Sequence, residues 1–396
     1  MTRRLYYDDQ YRRAFDATIR GIERRGQLTA VWLDESAFYP TSGGQPSDTG
    51  TLSSFAVADV VDEHDEVVHL VSGQPDWREG QSVHGDIDWD RRFDHMQQHT
   101  GQHLLSAAIA RVCQVSTVSF HLGRESATID IARALTPLEL NTVEDDANRI
   151  VAENRTVSVR YAESAETATL NLRKPSAREG RLRLIEVDDV DLSACGGTHV
   201  SQTGAVGAMV IRSWERFRKG QRIEFLCGTR AVHAYRGLRD VIGASVRLLS
   251  VLPSELAGAI EHLQACAREQ DKTIVELRTE RALLQAPALA EAAELIGHVR
   301  WVFRAVDADA TGLKALASAI VTRPGVVAVL TSPVSPALLV VARSADVALS
   351  CDGLVRTLAA AFGGRGGGRP ELAQAGTLGA DGDVILARAR ELATPP

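Results

Sequence analysis

Five cysteines spread over 396 residues are too few and too scattered for a disulfide framework, so most of them are expected to stay reduced, some as small core residues. Long apolar runs are absent: Val326–Leu330 and Ala337–Ala342 fall far short of the roughly 20 residues a membrane span needs. The N-terminus, M-T-R-R-L-Y-Y-D-D-Q, lacks the apolar core of a secretory signal. Together these absences point to the cytoplasm and away from a membrane. Lysine is scarce as well; nearly all of the 44 basic residues are arginine, which favours forked phosphate contacts. The net charge of −7 excludes nucleic-acid binding by the whole surface and leaves it to local patches.

What is present is an ordinary globular composition, 44% hydrophobic and 24% charged, in a chain long enough for two to four domains. The pattern predicts an α+β multidomain protein. Residues 1–88 read as short strands (Leu28–Leu33, Ala56–Val61, Val67–Val71) between Gly/Pro/Asp/Ser clusters, which suggests a small β-barrel or sandwich. Residues 89–235 form a central α+β domain. Its first helix runs from Asp90 to about Val112, with Leu104, Ala108 and Val112 on one stripe that His95, His99 and His103 extend. A second helix starts at Thr136-Pro137, a cap followed by proline at the first position. Residues 236–297 are a helical connector, opened by Ser254 as N-cap, with a heptad-like stripe from Leu256 through Ile260, Leu263, Ile274, Leu277 and Leu284. The stripe is expected to pack on its own chain; a helical pair or dimer contact is the other reading. Residues 298–396 alternate β and α as a C-terminal α/β domain. Within it G-G-R-G-G-G-R-P (Gly363–Pro370) is too rich in glycine for a regular element and is expected to wrap a phosphate with amides and guanidinium groups.

Chemistry concentrates in two pairs spaced i, i+4: His99 and His103 in H-T-G-Q-H, and Cys195 and His199 in C-G-G-T-H. Three imidazoles and a thiolate suit zinc rather than calcium or magnesium. His95 leaves open which histidine pair binds. Gly196 and Gly197 are expected to let the backbone turn sharply. The acidic block Glu186–Asp191 is expected to raise a free Cys195 thiol, an effect zinc would reverse. Thr100, standing where a metallopeptidase needs glutamate, excludes that activity. A structural zinc and a catalytic one both remain open, because four protein ligands close a tetrahedral shell. Basic runs flank the second pair, Arg173–Arg183 and Arg212–Arg222; each is either a solvated face or a phosphate grip.

The chain resembles freestanding alanyl-tRNA editing proteins of the AlaX type, in their long form, and the editing and C-terminal domains of alanyl-tRNA synthetase. Four segments carry the resemblance: F-Y-P-T-S-G-G-Q-P-S-D-T-G (Phe38–Gly50), one glycine poorer than is usual in the family; H-M-Q-Q-H-T-G-Q-H-L-L-S-A-A (His95–Ala108); C-G-G-T-H; and G-G-R-G-G-G-R-P-E-L-A-Q-A-G (Gly363–Gly376). The H-L-L register then implies His99 and His103 as ligands, with His95 accessory. No ATP-binding motif is seen, so amino-acid activation is not expected.

The resemblance implies a trans-editing hydrolase, an aminoacyl-tRNA ester hydrolase that deacylates Ser-tRNA-Ala and Gly-tRNA-Ala at one zinc ion per chain. That zinc is held by His99, His103, Cys195 and His199, with His199 as the loosest ligand. Ser119 and His121 are expected to line the amino-acid pocket, and Thr100 and Gln102 to point away from the metal. Gly43, Gly44, Arg178, Arg181, Arg216, Arg218, Gly364, Arg365, Gly366, Gly367 and Arg369 are expected to contact tRNA. A homodimer through the connector or C-terminal domain is a further expectation. The rival readings are an RNA-binding protein with a structural zinc and no activity, and a relative acting on a non-standard aminoacyl-tRNA.

Overall fold

Residue alternation builds the N-terminal strands. In Ala14–Arg25, Phe15, Ala17 and Ile19 are buried while Asp16 and Arg20 face solvent, the two-residue period of a half-covered strand. The structure, a computed structural model, describes residues 1–163, 166, 170, 172–174 and 180–393. The chain divides into two compact units, Met1–Ala244 and Ser245–Pro396, with the boundary inside the helix Thr229–Leu249. Among the described residues no single helix is long and apolar enough to cross a membrane.

In the first unit six strands close into a barrel, ordered Ala14–Arg25, Leu28–Leu33, Glu66–Ser72, Phe55–Glu63, Gly50–Leu52 and Ser82–Ile87. Val31, Leu33, Phe38, Leu52, Val60 and Val71 fill it at 2% exposure or less. Each such side chain contributes about 1.5–3 kcal/mol on burial.

The next element, Trp89–Cys113, decides where the site lies. Asp88 caps it by accepting from Arg91 N at 3.2 Å, and Gln114 ends it in the left-handed conformation. Of its 25 residues sixteen are buried, so it is a core helix covered on most sides and its polar groups must find partners inside. Most do: Gln97 donates to Ala205 O, Gln98 binds both backbone groups of Cys227, and fully buried Arg92 pairs with Asp48 and donates to Gln10 O and Ala37 O.

Two sheets surround this helix. One is four-stranded, ordered Met209–Phe217, Gly220–Cys227, Ala127–Ile131 and Thr117–Leu122, with Leu122, Ile129, Ile223 and Phe225 in the shared core. The other is three-stranded, Val157–Glu163, Arg181–Val187 and Asp191–Ala194. The helix Pro137–Glu153 carries the expected Thr136 cap, completed by Glu139 as a capping box.

The second unit is a six-stranded mixed sheet: Glu294–Ile296, Val299–Ala305, Val326–Thr331, Ala337–Arg343, Leu372–Leu378 and Arg365–Arg369. Val326–Thr331 is buried at every residue because helices cover both faces there. Three expectations need correcting. The helix Leu256–Glu291 is entered through a 3-10 turn, Pro253–Glu255, and Ser254 does not cap it; Glu255 Oε2 accepts from Leu252 N instead. The leucine-rich stripe is not covered by its own chain. Ile260, Leu263, Ile274, Leu277 and Leu284 stay exposed, while the buried residues are the small ones, Ala282, Ala286 and Ala290, against the helix Ala310–Ile320. Finally, the glycine-rich segment is a regular element after all. Arg365–Arg369 pairs with Leu372–Leu378 as an edge strand, in which Gly366 and Gly368 lie too close to Ala375 and Ala373 for side chains.

Candidate metal centre

One face of the core helix meets the loop after Asp191–Ala194, and the four predicted ligands converge there. The donor atoms of His99, His103, Cys195 and His199 all lie within 4.8 Å of one another, and this group can hold a metal ion. Cys195 Sγ is 3.4 Å from His99 Nε2 and 3.3 Å from His199 Nε2. Zinc–sulfur and zinc–nitrogen bonds of about 2.3 and 2.0–2.1 Å at a tetrahedral angle would set sulfur and nitrogen about 3.5 Å apart, so the spacing fits that ion.

Each imidazole is pinned from behind. His99 Nδ1 donates to Gln45 Oε1 at 2.7 Å and His103 Nδ1 to Asp191 Oδ2 at 2.8 Å, and His199 Nδ1 shares a hydrogen bond with Thr100 Oγ1 at 3.2 Å. A donor on Nδ1 leaves Nε2 with its lone pair facing the cluster, the tautomer a metal requires. Gln45 is oriented in turn by Thr198, accepting from its N at 3.2 Å and donating to its Oγ1 at 2.9 Å. Asp191 also accepts from Arg173 Nε at 2.6 Å and from Ser193 Oγ. The N-terminal segment clamps the loop: Gln10 Oε1 accepts from His199 N, and Tyr11 Oη from Ser201 N at 3.0 Å. Arg183 Nη1 holds the carbonyls of Cys195 and Gly197 at 2.8 and 3.0 Å.

Glycine in C-G-G-T-H serves closeness rather than the turn itself. Neither Gly196 nor Gly197 has a positive φ, but a Cβ on Gly197 would collide with the His99 ring. Gly43 and Gly44 do need φ of +57° and +84°, and a Cβ on Gly44 would sit 2.9 Å from Phe120 O. The turn they make delivers Gln45 to His99.

Without an ion the cluster is strongly polarised. Burial pushes His103 down, but the Asp191 hydrogen bond and nearby Cys195 outweigh it and bring it up to about 9. Burial likewise takes His199 down to about 3. Burial would raise Cys195, yet its electrostatic interactions with the neighbouring His99 and His199 and the hydrogen bond with His103 hold it well below the usual thiol range. The expected raising by the acidic block therefore does not occur; its member Asp191 is turned to His103 instead.

The cluster floors a cleft of about 300 Å³ lined by His99, His103, Cys195, Gln102, Phe120 and Arg173, among others. His199, expected to be the loosest ligand, is fully buried, whereas Cys195 is only half-buried, so the solvent side of the cluster is the cleft side. Thr100 and Gln102 were expected to point away, but Thr100 supports His199, and Gln102 lines the cleft while donating to Ser106 Oγ at 2.8 Å. Ser119 is among the residues that line the cleft, with its hydroxyl given to Asp130 at 2.6 Å, and His121 is exposed outside the lining. Strand alternation explains the latter. Phe120 points inward, its ring 5.2 Å from that of His99, and turns His121 outward. His95 is buried with Nδ1 unpartnered and stands outside the four-residue group.

Of the expected tRNA contacts, Arg181 stacks on Tyr161 at 4.4 Å, Arg216 is exposed on Met209–Phe217, and Arg218 lies over Phe217 at 5.1 Å. Arg178 lies outside the described residues. Gly364 precedes the edge strand that holds Arg365, Gly366, Gly367 and Arg369. Sequence reasoning missed Gln45, Asp191 and Gln10 as supports; Gln45 and Asp191 stood inside segments already singled out, whereas nothing local marks Gln10.

Comparison with known proteins finds relatives along most of the chain. Residues 12–91 match the family described as tRNA synthetases class II (A), and residues 182–224 the threonyl and alanyl tRNA synthetase second additional domain. The alanyl-tRNA editing protein AlaX-L of Pyrococcus horikoshii is 29% identical over 387 residues, covering 94% of each chain. The alanine–tRNA ligase of Pyrococcus furiosus is 33% identical over 94% of this chain and 42% of the ligase, and that of Natronomonas pharaonis 35% identical over 95% and 42%. The chain thus spans less than half the length of those ligases. The crystal structure of the C-Ala domain from Aquifex aeolicus alanyl-tRNA synthetase matches 26% of this chain and 98% of that domain at 19% identity, with a TM-score of 0.25. In its motifs, taken in order, and in these matches, the chain is similar to the AlaX-L editing protein over 94% of its length and to part of the alanine–tRNA ligases.

Proposed function

We propose that this chain is a trans-editing hydrolase that cleaves the aminoacyl ester of mischarged tRNA-Ala, Ser-tRNA-Ala above all and Gly-tRNA-Ala as well, at one zinc ion. The observation that carries this reading is that the four pinned donors floor an open cleft with a half-buried thiolate on its solvent side. When bound there, zinc supplies a Lewis acid for a carbonyl or for water. The residues of the chain do the rest. Gln45 and Asp191 keep the Nδ1 protons of His99 and His103 in place, Thr100 holds the His199 ring, and Arg173 sets a cation at the cleft wall while holding Asp191. A synthetic site sized for alanine excludes a small hydroxyl analogue poorly, whereas a polar cleft that binds the serine hydroxyl rejects alanine, because its own buried polar group is left unpaired.

In this reading Arg181, Arg216, Arg218, Arg365 and Arg369 grip tRNA, and the exposed stripe of Leu256–Glu291 joins two copies. A second reading is favoured by one observation: four donors within 4.8 Å close a tetrahedral shell and suit a purely structural zinc. Cys195→Ala separates the two. Editing predicts a folded protein that no longer deacylates Ser-tRNA-Ala; the structural reading predicts an unfolded variant and a wild type without activity.

A further inference from the structure

The second unit carries a concavity that neither the metal centre nor the Arg365–Arg369 strand uses. The turn at Gly297–His298 joins Glu294–Ile296 to Val299–Ala305, and Arg323–Gly325 leads into Val326–Thr331. Gly297 and Gly325 take left-handed φ of +64° and +70°, and Arg300 N donates to Gly325 O at 2.8 Å, which ties the two turns side by side. Between them is a cavity of about 600 Å³ whose cationic side is His298, Arg300 and Arg323 and whose apolar wall is Leu295, Pro324 and Val326.

Among the described residues no carboxylate lines this cavity. The acids nearby are already engaged. Asp346 accepts from Gly325 N at 2.8 Å, and Glu291 reaches Arg323 only at 3.5 Å with both groups partly solvated. Among the described residues Arg300 and His298 form no ion pair. Two forked guanidinium groups and an imidazole around a concavity without a carboxylate complement an oxyanion, and the arginine fork matches phosphate in particular. An apolar wall beside the cations suits the sugar or base that accompanies a phosphate in a polynucleotide.

We propose that His298, Arg300 and Arg323 form a binding site for a backbone phosphate of RNA. The site does not depend on the hydrolase reading, since RNA without an amino acid is its probe. The test measures binding of the full chain to uncharged tRNA between about 50 and 200 mM salt. Arg300→Gln and Arg323→Gln are each expected to lower the slope of log affinity against log salt by about 0.7–0.9, one phosphate contact apiece, and the double variant to weaken binding by about tenfold or more in that range. Arg304→Gln, an exposed cation on the same strand outside the cavity, is the charge-matched control and should leave the slope unchanged. In a second arm, inorganic phosphate is titrated against the His298 ring resonance, which should shift saturably in wild type and not in the double variant. Wild-type slope in both arginine variants, or an equal loss in Arg304→Gln, overturns the proposal. A response to inorganic phosphate with unchanged tRNA binding overturns RNA as the source of the phosphate. Thermal melting confirms that each variant is folded before its binding is read.

Discussion

Gln45 Oε1 accepts the Nδ1 proton of His99 at 2.7 Å across 54 residues of sequence, linking the glycine-rich turn after the barrel strand Leu28–Leu33 to the metal cluster on the core helix. The turn residues Gly43 and Gly44 thereby acquire an internal role: they place an amide that fixes one ligand's tautomer. Gln45→Ala is expected to lower zinc affinity by about 10–100-fold, while Gln45→Glu, which keeps an acceptor, should lose less. Competition with a chelator of known affinity checks both. Equal affinity in wild type and Gln45→Ala would show that the contact does not support the metal.

Gly197 packs against the His99 ring with no room for a methyl group. Gly197→Ala should therefore displace His99, abolish stoichiometric zinc and destabilise the first unit by about 1–3 kcal/mol. Metal analysis of the purified variant, alongside denaturant unfolding, gives the answer. Full zinc loading with wild-type stability would contradict the close packing.

Asp48 and Arg92, both fully buried, test the opposite case, a contact near the centre that serves the fold. Asp48→Ala strands an arginine that also holds Gln10 O and Ala37 O, and should cost about 3–5 kcal/mol in unfolding experiments. A loss under 1 kcal/mol would mean that water reaches Arg92.

His69 predicts an acid sensitivity located in the barrel. Its Nδ1 donates to Val31 O at 3.1 Å and its Nε2 accepts from Ser36 Oγ at 2.7 Å, so the ring is neutral, and burial takes it down to about 4 despite the Val31 bond. The unfolded chain titrates near the ordinary value of about 6.5. Between these values the unfolded state binds a proton that the folded state does not. The contribution is thus present above about 6.5 and is lost as pH falls toward 4, at no more than about 1.4 kcal/mol per pH unit. Urea unfolding from pH 7 to 4.5 should show a shallower pH slope for His69→Gln than for wild type. Identical slopes would rule His69 out as the source.

Local pattern made much of this molecule legible. The strand Leu28–Leu33 and the helix from Thr136-Pro137 fall where periodicity and capping put them, because their neighbours are close in sequence. The four donors were legible as two i, i+4 pairs, and the structure brings them together. What was not legible depends on distant partners. Gln45, Asp191 and Gln10 support ligands that lie 54, 88 and 189 residues away. Phe120 was missed as well: the strand pleat turns its ring to that of His99, while Ser119 beside it lines the same cleft and gives its hydroxyl to Asp130. The R-G-G-G-R segment looked too flexible for a strand, yet close neighbours at Ala373 and Ala375 make glycine the residue that fits there.

The most direct test is deacylation of Ser-, Gly- and Ala-tRNA-Ala by the zinc-loaded protein beside Cys195→Ala. The account predicts hydrolysis of Ser-tRNA-Ala far above the spontaneous rate, with Ala-tRNA-Ala disfavoured by up to roughly 10⁴–10⁵, and rates at the no-enzyme level for a folded Cys195→Ala. Rates equal to the no-enzyme control for all three substrates, in a protein with stoichiometric zinc, would contradict it.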